Sequence, residues 1–388
     1  RRNGSEKAQD HFMARDADEV ARARDWQARK ADAGWAGLTW PRAFGGRDAT
    51  PIEQVIWNQE EGRYAVPPNV FLIGIGLVGP TVMIHGTEDQ KTRFLPRALT
   101  GEDIWCQLFS EPAAGSDLAG IRTRARREDD EWVISGQKVW TSGAQYSTHG
   151  ILLARTDPQV PKHKGMTMFL VDMSDPAIET RPIRQISGSS SFNEVFIDGA
   201  TVPDAHRVGE LNEGWRVSAS TLSSERQMVS GSGSGGMGGL GGSSAERLIT
   251  LAQESGRWSD PVVRAKIMRL WVQEQIRGWT NTRVRAALSA GQSPGAASSI
   301  GKVHQATLNQ QIQDLMVDLL GTDALAWPTS EDRDALPREV QGWMRSLANS
   351  TEGGTTDINK NILGERVLGL PREPDLWKGK PWKDIPRS

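Results

Sequence analysis

The sequence predicts an α+β protein in which a helical segment, a β segment and a second helical segment follow one another. Residues 1–105 carry apolar side chains at helical spacing, and residues 106–210 change to short, closely spaced runs typical of strands. Residues 211–370 return to helical spacing, and the proline-containing residues 371–388 predict an extended tail. A chain of 388 residues is long enough for three domains in this order.

Composition excludes several classes of protein. The chain has 37% hydrophobic and 24% charged residues, which is ordinary for a globular protein. A net charge of −2 gives no electrostatic basis for binding nucleic acid. No apolar run approaches the roughly 18 residues of a membrane span. The one cysteine, Cys106, excludes an internal disulfide framework and a cysteine-rich zinc site, and we expect a reducing, cytoplasmic location.

Helix signals divide the first segment. Residues 9–32 are charged and rich in alanine and arginine, which favours a helix. Residues 51–64 and 67–86 have apolar residues at helical spacing, and each stretch opens on a proline suited to a first turn. Thr87 predicts the cap of one more short helix.

The middle segment has the pattern of closely spaced strands. Residues 131–134 and 137–141 flank Ser135-Gly136, and this pattern predicts a hairpin turn at that dipeptide. Three more runs predict further strands: residues 150–155, 166–171 and 191–198. In the last segment, two long helices are predicted over residues 261–288 and 298–320.

A glycine-rich stretch, residues 231–242, contains a G-x-G-x-x-G pattern. A dinucleotide site would need a strand before it and an acidic residue in a βαβ unit about 20 residues later, and neither is evident. The stretch therefore favours a segment of small residues that something else approaches closely. The six histidines form no H-x-x-H or H-E-x-x-H pair, so no metal site is expected.

Three segments combine loops with hydroxyl groups. Residues 109–119 and 136–144 offer backbone N–H groups, hydroxyls and a flat aromatic ring to a planar polar ligand. Residues 352–358 place two glycines and a Thr/Asp cap at a helix start, which can face an anion or a carbonyl oxygen. The simpler interpretation is that they are only turns, a hairpin and a helix start.

Taken in order, residues 105–119, 137–144, 214–226 and 353–369 resemble the acyl-CoA dehydrogenase family, and residues 86–91 resemble its N-terminal domain. The resemblance implies an N-terminal α-helical domain, a middle β-barrel-like domain and a C-terminal four-helix bundle, with FAD at their junction. It implies α,β-dehydrogenation of an acyl-CoA thioester to the trans-2-enoyl-CoA. The hydride passes to flavin N5, and the electrons pass to an electron-transfer flavoprotein.

The resemblance also implies roles for individual residues. Trp140 would lie against the flavin, and Ser142 would reach toward N5. The full set expected to bind FAD is Gln107, Phe109, Ser110, Gly115, Ser116, Trp140, Thr141, Ser142, Thr355 and Asp357. The residues expected along the CoA substrate are Ser116, Ser189 and Arg226.

The catalytic base is expected at one of two positions. Many members of the family carry it in a Glu-Gly-Thr sequence before the last helix, but here Gly353 stands at that position and Glu352 is one residue earlier. Other members carry it in the first bundle helix as Leu-x-x-Glu-Arg, which residues 222–226 match. We therefore expect Glu225 to be the base, with Glu352 as the alternative and the Gly353 backbone N–H as a donor to the thioester oxygen. The simpler interpretation of Glu225 is a helix-surface residue paired with an arginine.

The chain departs from the family pattern at two places. The Arg-x-x-Phe-Gly and Gly-Gly-x-Gly-Tyr motifs for the FAD adenine end are replaced by residues 256–261 and 320–324. Some members with such changes pair with a second subunit, so the expected assembly is a homodimer, a homotetramer or a heterotetramer with a paralogue. The alternatives are a non-catalytic partner subunit and a flavin oxidase or monooxygenase. The small residues 230–242 would suit a bulky acyl group.

Overall fold

The computed structural model describes residues 13–14, 16–229, 244–290, 292, 295–326 and 336–386. The chain divides into two compact units. The first, here called the β unit, holds the described residues up to Arg184, then Ser190–Glu225 and the tail from Glu373. The second, called the bundle unit, holds Gln185–Ser189 and Arg226–Arg372. The predicted domain boundaries at residues 105, 210 and 370 stay predictions.

Among the residues that the structure describes, four α-helices precede the strands of the β unit, and their caps follow the sequence. They are α1 (Ala17–Asp32), α2 (Pro51–Glu61), α3 (Gly79–His85) and α4 (Glu88–Thr100). Thr87 forms a capping box with Gln90, as the predicted helix start requires. The helix predicted over residues 67–86 begins later, at residue 72, and passes through a π-helical turn, Gly74–Val78, before α3.

Eight strands of the β unit form one mixed sheet with the order β6-β7-β3-β2-β4-β5-β8, and β1 pairs with β4. The strands are β1 (Trp105–Leu108), β2 (Arg124–Glu128), β3 (Glu131–Ser142), β4 (His149–Arg155), β5 (Met166–Asp172), β6 (Ile178–Ile183), β7 (Phe192–Pro203) and β8 (Arg207–Val208). Alternate residues of β3, β4 and β7 fill a common core that includes Ile134, Leu152 and Val195. Burying each such side chain contributes about 1.5–3 kcal/mol.

The hairpin predicted at Ser135-Gly136 is wrong, because β3 runs unbroken from Glu131 to Ser142. The hairpin turn lies earlier, at Asp129-Asp130, where Glu128 of β2 pairs with Glu131 of β3. Gly136 is instead a site of close packing in a continuous strand. A Cβ on it would lie 2.3 Å from Thr123 Oγ1 and 2.6 Å from Thr123 Cα, so the glycine allows a close approach within the sheet.

The tail predicted to be extended is only partly so. Residues 382–384 form a 3₁₀ turn, and Trp382 N–H donates to Val160 O at 2.9 Å. The Arg155 guanidinium lies 4.8 Å from the centre of a Trp382 ring. Because Arg155 Nη2 also donates to Ala119 O, this buried arginine links the tail to the rest of the β unit.

Helix α5 (Gly214–Val229) runs from one unit into the other. The bundle unit continues with α6 (Ala245–Glu254), α7 (Pro261–Ser289), α8 (Ser299–Leu320), α9 (Arg338–Ser346) and α10 (Thr356–Arg366). The helices predicted over residues 261–288 and 298–320 are thus confirmed as α7 and α8. Leu248, Ile267 and Ile312 join α6, α7 and α8 in one core. The glycine-rich residues 231–242 lie outside the described residues, and no described helix has the length and apolarity needed to cross a membrane.

Candidate active site

Trp140 occupies a strained position in β3. Its φ is +61°, in the left-handed region that bulky residues rarely adopt. The strain arises at a β-bulge, because Lys138 pairs with Val195 and Thr141 pairs with Asn193, so two residues of β3 face one of β7. The left-handed conformation costs an L-residue about 1–2 kcal/mol. The bulge leaves 59% of the Trp140 surface exposed, and such strain is typical of functional positions.

The loop after β1 is bound directly to this bulge. Val139 N–H donates to Ser110 O at 2.9 Å, and Lys138 Nζ donates to Phe109 O at 3.0 Å. Phe109 is buried, whereas Ser110 is partly exposed. The structure therefore brings together, within one unit, two of the segments that the sequence predicts at the flavin.

Lys138 and Glu111 form a buried ion pair behind the bulge. Lys138 Nζ lies 2.9 Å from Glu111 Oε1, and the lysine side chain is fully buried. Burial lowers the pKa of Lys138, and the neighbouring Glu111 carboxylate opposes that change. Burial alone raises the pKa of Glu111, but the adjacent ammonium and hydrogen bonds hold it below its ordinary value. No sequence motif points to a role for either residue, since a lysine in a strand is usually exposed to solvent.

Thr141 and Ser142 end β3 and differ in burial. Thr141 is buried, and among the described residues its Oγ1 has no hydrogen-bond partner. Its backbone oxygen accepts from Asn193 Nδ2 at 3.0 Å. Ser142 and, in β1, Gln107 are both partly exposed. A buried hydroxyl without a partner is costly, and a bound ligand is one way to satisfy it.

Gly115 and Ser116 lie in the exposed loop that precedes β2. A Cβ on Gly115 would meet nothing within 4 Å, so no close contact in the described structure requires glycine there. Backbone hydrogen bonds between Glu111 and Ala114 close the start of this loop. The loop therefore starts at the buried ion pair and stays accessible at its tip.

Thr355 caps α10 in the bundle unit. Its Oγ1 accepts from Ile358 N–H at 3.1 Å, as the predicted helix start requires. Gly353 and Gly354 have φ of +61° and +79°, which explains the glycine pair. Asn359 Nδ2 donates to Gly354 O and Thr355 O, each at 3.0 Å, and holds this turn. Asn359 was not among the residues expected at the site, although an asparagine one turn after a cap is a weak signal for such a bond.

The first turn of α10 contains two further polar side chains. Asp357 is exposed, and its Oδ1 lies 3.6 Å from Lys360 Nζ. Thr356 Oγ1 is buried and has no partner among the described residues. The N-terminus of α10 thus offers N–H groups and a hydroxyl that suit an anion or a carbonyl oxygen.

Glu352 is held within a polar network of the bundle unit. Arg345 Nη2 donates to Glu352 Oε2, and Asn349 Nδ2 donates to Glu352 Oε1, both at 2.7 Å. Asn349 in turn accepts from Asn309 at 2.7 Å and from the buried Lys302. Both carboxylate oxygens of Glu352 are therefore engaged in fixing the backbone before α10.

Glu225 and Arg226 lie near the end of α5, and their side chains fall outside the described part of the structure. One turn earlier, Thr221 Oγ1 is hydrogen-bonded to Thr81 Oγ1 at 2.9 Å. This bond fixes α5 against α3 within the β unit. Ser189 closes the turn Gln185–Ser189, where its Oγ lies 2.7 Å from Gln185 Nε2.

Each unit, taken by itself, offers groups that suit one part of a flavin dinucleotide. The β unit offers an exposed aromatic ring at Trp140, joined to the Phe109–Ser110 loop, and an unpaired buried hydroxyl on Thr141. The bundle unit offers the N-terminus of α10. A planar ring stacks on an aromatic face, and phosphates or carbonyl oxygens accept from helix N–H groups.

Three family models match the chain in order. They are the N-terminal domain of acyl-CoA dehydrogenase over residues 2–102, the middle domain over residues 106–199 and the C-terminal domain over residues 212–368. Together they cover all the segments that carry the candidate site.

Relatives of known sequence agree with these models. The chain is 40% identical over 347 residues to acyl-CoA dehydrogenase FadE34 of Mycobacterium tuberculosis (strain ATCC 25618 / H37Rv), covering 89% of this chain and 46% of the relative. The chain therefore spans about half the length of FadE34. It is 36% identical over 360 residues to acyl-CoA dehydrogenase IpdE1 of the same organism, covering 90% of this chain and 88% of that relative.

Two solved structures share the architecture. The Tcur3481-Tcur3483 steroid ACAD has a TM-score of 0.81 at 28% identity, over 94% of this chain and 92% of that chain. The ChsE4-ChsE5 complex from Mycobacterium tuberculosis has a TM-score of 0.73 at 29% identity, over 90% of each chain. With the three domain models and a 36% identical relative matched almost end to end, this chain belongs to the acyl-CoA dehydrogenase family.

Proposed function

We propose that the chain catalyses FAD-dependent α,β-dehydrogenation of an acyl-CoA thioester to the trans-2-enoyl-CoA. The observation that carries this proposal is the strained Trp140 bulge bound to the Phe109–Ser110 loop, in a member of this family. Bound FAD supplies the hydride acceptor, at flavin N5. The chain's own residues bind the thioester, remove the α-proton and stabilise the thioester oxygen.

Glu225 is the proposed base, and one of its carboxylate oxygens takes the α-proton. The geometry of its competitor supports this assignment, because both oxygens of Glu352 already accept hydrogen bonds from Arg345 and Asn349. A base must also lie within hydrogen-bond reach of the proton it removes. Glu225 precedes Arg226, which is proposed to bind the CoA part of the substrate with Ser116 and Ser189.

The Gly353 N–H is the proposed donor to the thioester oxygen as negative charge grows there. The two left-handed glycines and the Asn359 side chain hold the turn that carries it. Removing a donor of this kind from an enzyme costs about 2.7–4 kcal/mol of transition-state stabilisation. Ser142 Oγ is the proposed donor to flavin N5, and Thr355 and Asp357 are proposed along the FAD phosphates or ribityl.

The proposed substrate class is a bulky acyl-CoA thioester. One solved relative is named as a steroid ACAD, and it is 28% identical to this chain over most of its length. A cytoplasmic location and an electron-transfer flavoprotein as electron acceptor belong to the same proposal.

The proposed assembly is an oligomer with a copy or a paralogue. One relative solved as a complex, ChsE4-ChsE5, is similar over 90% of this chain. Helix α7 carries exposed apolar side chains at helical spacing: Met268, Trp271, Val272, Ile276 and Trp279. An apolar stripe of this kind is typical of a subunit interface.

A second candidate is a partner subunit without its own FAD. The altered stretch at residues 256–261, which replaces a family motif for the FAD adenine end, supports this candidate. Its arginine, Arg257, uses Nη1 to donate to Asp318 O in α8 at 2.7 Å, so that donor is engaged within the bundle unit. A flavin oxidase or monooxygenase on the same fold is the third possibility, and rapid peroxide formation from substrate and oxygen would favour it.

The visible spectrum of the purified protein tests these proposals. It is recorded with added FAD, before and after anaerobic addition of CoA thioesters that range from short straight chains to steroid-like acyl groups. The proposal predicts a flavin spectrum that a bulky thioester bleaches. Bleaching by short straight-chain thioesters alone would contradict the substrate class, and a protein that stays colourless in excess FAD would favour the partner-subunit role.

A further inference from the structure

The buried Lys138 ammonium connects three separate segments of the β unit. An ammonium has three N–H donors, and here each has its own acceptor. The acceptors are Phe109 O at 3.0 Å, Glu111 Oε1 at 2.9 Å and Leu153 O at 2.8 Å. One side chain therefore joins β3 to β4 and to the loop after β1.

Glu111 completes this arrangement on the opposite side. Its Oε1 also accepts from Thr123 N–H at 2.9 Å, and its Oε2 accepts from Arg122 N–H at 2.6 Å. The carboxylate thus ties the start of β2 to the lysine. Because both charges are buried and hydrogen-bonded, moving either one would leave a buried group unsatisfied, which strongly opposes displacement.

Lys138 is also the last regularly paired residue before the bulge. It pairs with Val195, and the next regular pair is Thr141 with Asn193. The residue between them that carries the strain is Trp140, at φ +61°. A strained conformation persists only where its surroundings determine it fully, so the anchor directly before the bulge has to be rigid.

We propose that Lys138, held by Glu111, is a positioning residue that fixes the Trp140 bulge and the Phe109–Ser110 loop against each other to form the flavin-ring site. This inference rests on the proposed function, since the flavin is the group that the two segments would hold. Lys138 touches neither flavin nor substrate in this proposal, because its three donors are used within the protein.

The experiment compares three variants of the full chain. Lys138→Met removes the anchor, and Lys138→Met/Glu111→Gln removes it without leaving a buried charge. Val195→Ala is the matched control, since Val195 is the buried strand partner of Lys138 and its truncation weakens the same core. FAD affinity is measured by titration at a temperature where each variant is folded, and stability is measured by urea unfolding.

We expect Lys138→Met to weaken FAD binding at least about tenfold, since it removes three charge-assisted hydrogen bonds. Val195→Ala should stay within about twofold of the wild type, because it leaves those bonds intact. The double variant should regain much of the lost stability, yet it should bind FAD as weakly as Lys138→Met. Recovery of FAD affinity together with stability, or equal losses in Lys138→Met and Val195→Ala, would overturn the proposal.

Hydrogen exchange of the apoprotein separates this inference from the proposed function. Peptides that cover residues 137–143 should exchange at least about tenfold faster in the double variant than in Val195→Ala. If the wild type binds no FAD, the proposed function fails, and the exchange result alone decides whether Lys138 positions the bulge. Equal exchange in the two variants would show that it does not.

Discussion

Arg345 and Glu352 form an ion pair of 2.7 Å, directly before the helix that carries the proposed phosphate-binding cap. Both side chains are mostly buried, and the second oxygen of Glu352 accepts from Asn349. Glu352, the acidic residue nearest to the position where many family members carry the catalytic base, thereby holds the backbone. This relationship gives the two candidate bases different expected phenotypes.

Glu225→Gln should retain bound flavin and lose flavin reduction by the substrate. The amide keeps the size of the side chain but cannot take a proton, and loss of a general base lowers the rate about 10²–10⁴-fold. Stopped-flow absorbance of the flavin band under anaerobic conditions measures this. Normal reduction in Glu225→Gln would show that the base lies elsewhere.

Glu352→Gln should instead lower stability. The change removes a charge that accepts hydrogen bonds from Arg345 and Asn349, and each such bond contributes about 1.5–3 kcal/mol. Urea unfolding should show a loss of this size, while the reduction rate changes little. If this variant folds normally and fails to reduce its flavin, Glu352 is the base and our assignment is wrong.

Trp140→Gly should leave the free energy of unfolding within about 1 kcal/mol of the wild type, because relief of the left-handed strain offsets the lost contacts. FAD affinity should fall at least about tenfold with loss of the aromatic face. Trp132→Ala is the control. Truncation of this buried side chain should lower the free energy of unfolding by about 3–5 kcal/mol. Unchanged FAD binding in Trp140→Gly would remove Trp140 from the site.

Gly136→Ala should destabilise the β unit by about 1–3 kcal/mol, since the new Cβ would lie within 2.6 Å of Thr123 Cα. Gly115→Ala is the comparison, because a Cβ there meets nothing within 4 Å, and its unfolding midpoint should change little. Equal urea midpoints for the two variants would contradict the close packing of β3 on Thr123.

Cys106 should contribute a pH dependence at alkaline pH. Burial raises the pKa of its thiol from 9.0 to about 12. Between these values the unfolded thiol loses its proton while the folded thiol keeps it, so stability is complete below pH 9 and falls as the pH rises toward 12. The slope attributable to this group is at most about 1.4 kcal/mol per pH unit.

The slope is isolated by measuring the free energy of unfolding of the wild type and of Cys106→Ala in parallel from pH 8 to 11. The stability advantage of the wild type, measured as the difference in free energy of unfolding, should shrink as the pH rises, because only the wild type has the buried thiol. A constant difference would show that the thiol does not titrate abnormally.

Local signals in the sequence were sufficient for several helices and strands and for the ends of some helices. Thr87 and Thr355 cap α4 and α10 because a side-chain oxygen three residues before a free N–H can bond to it whatever surrounds the helix. Short apolar runs likewise predicted β4 and β5, and an alternating run predicted β7. The motif segments, taken in order along the chain, were enough to indicate the family through their resemblance to its members.

Tertiary structure decided what the same residues do at the site. Gly136 reads as a turn in sequence, yet it allows Thr123 to approach a continuous strand. Lys138 reads as a surface lysine, yet it is buried because acceptors distant in sequence, in Phe109, Glu111 and Leu153, meet its ammonium. Motifs and spacing along the chain were thus enough for several helices and strands and for the family, because these signals come from residues close together in sequence. The strain at Trp140 depends on the pairing of β3 with β7, two strands that are distant in sequence. Arg345 and Glu352 are close in sequence, but their ion pair depends on how the chain turns between α9 and α10, which local spacing does not specify.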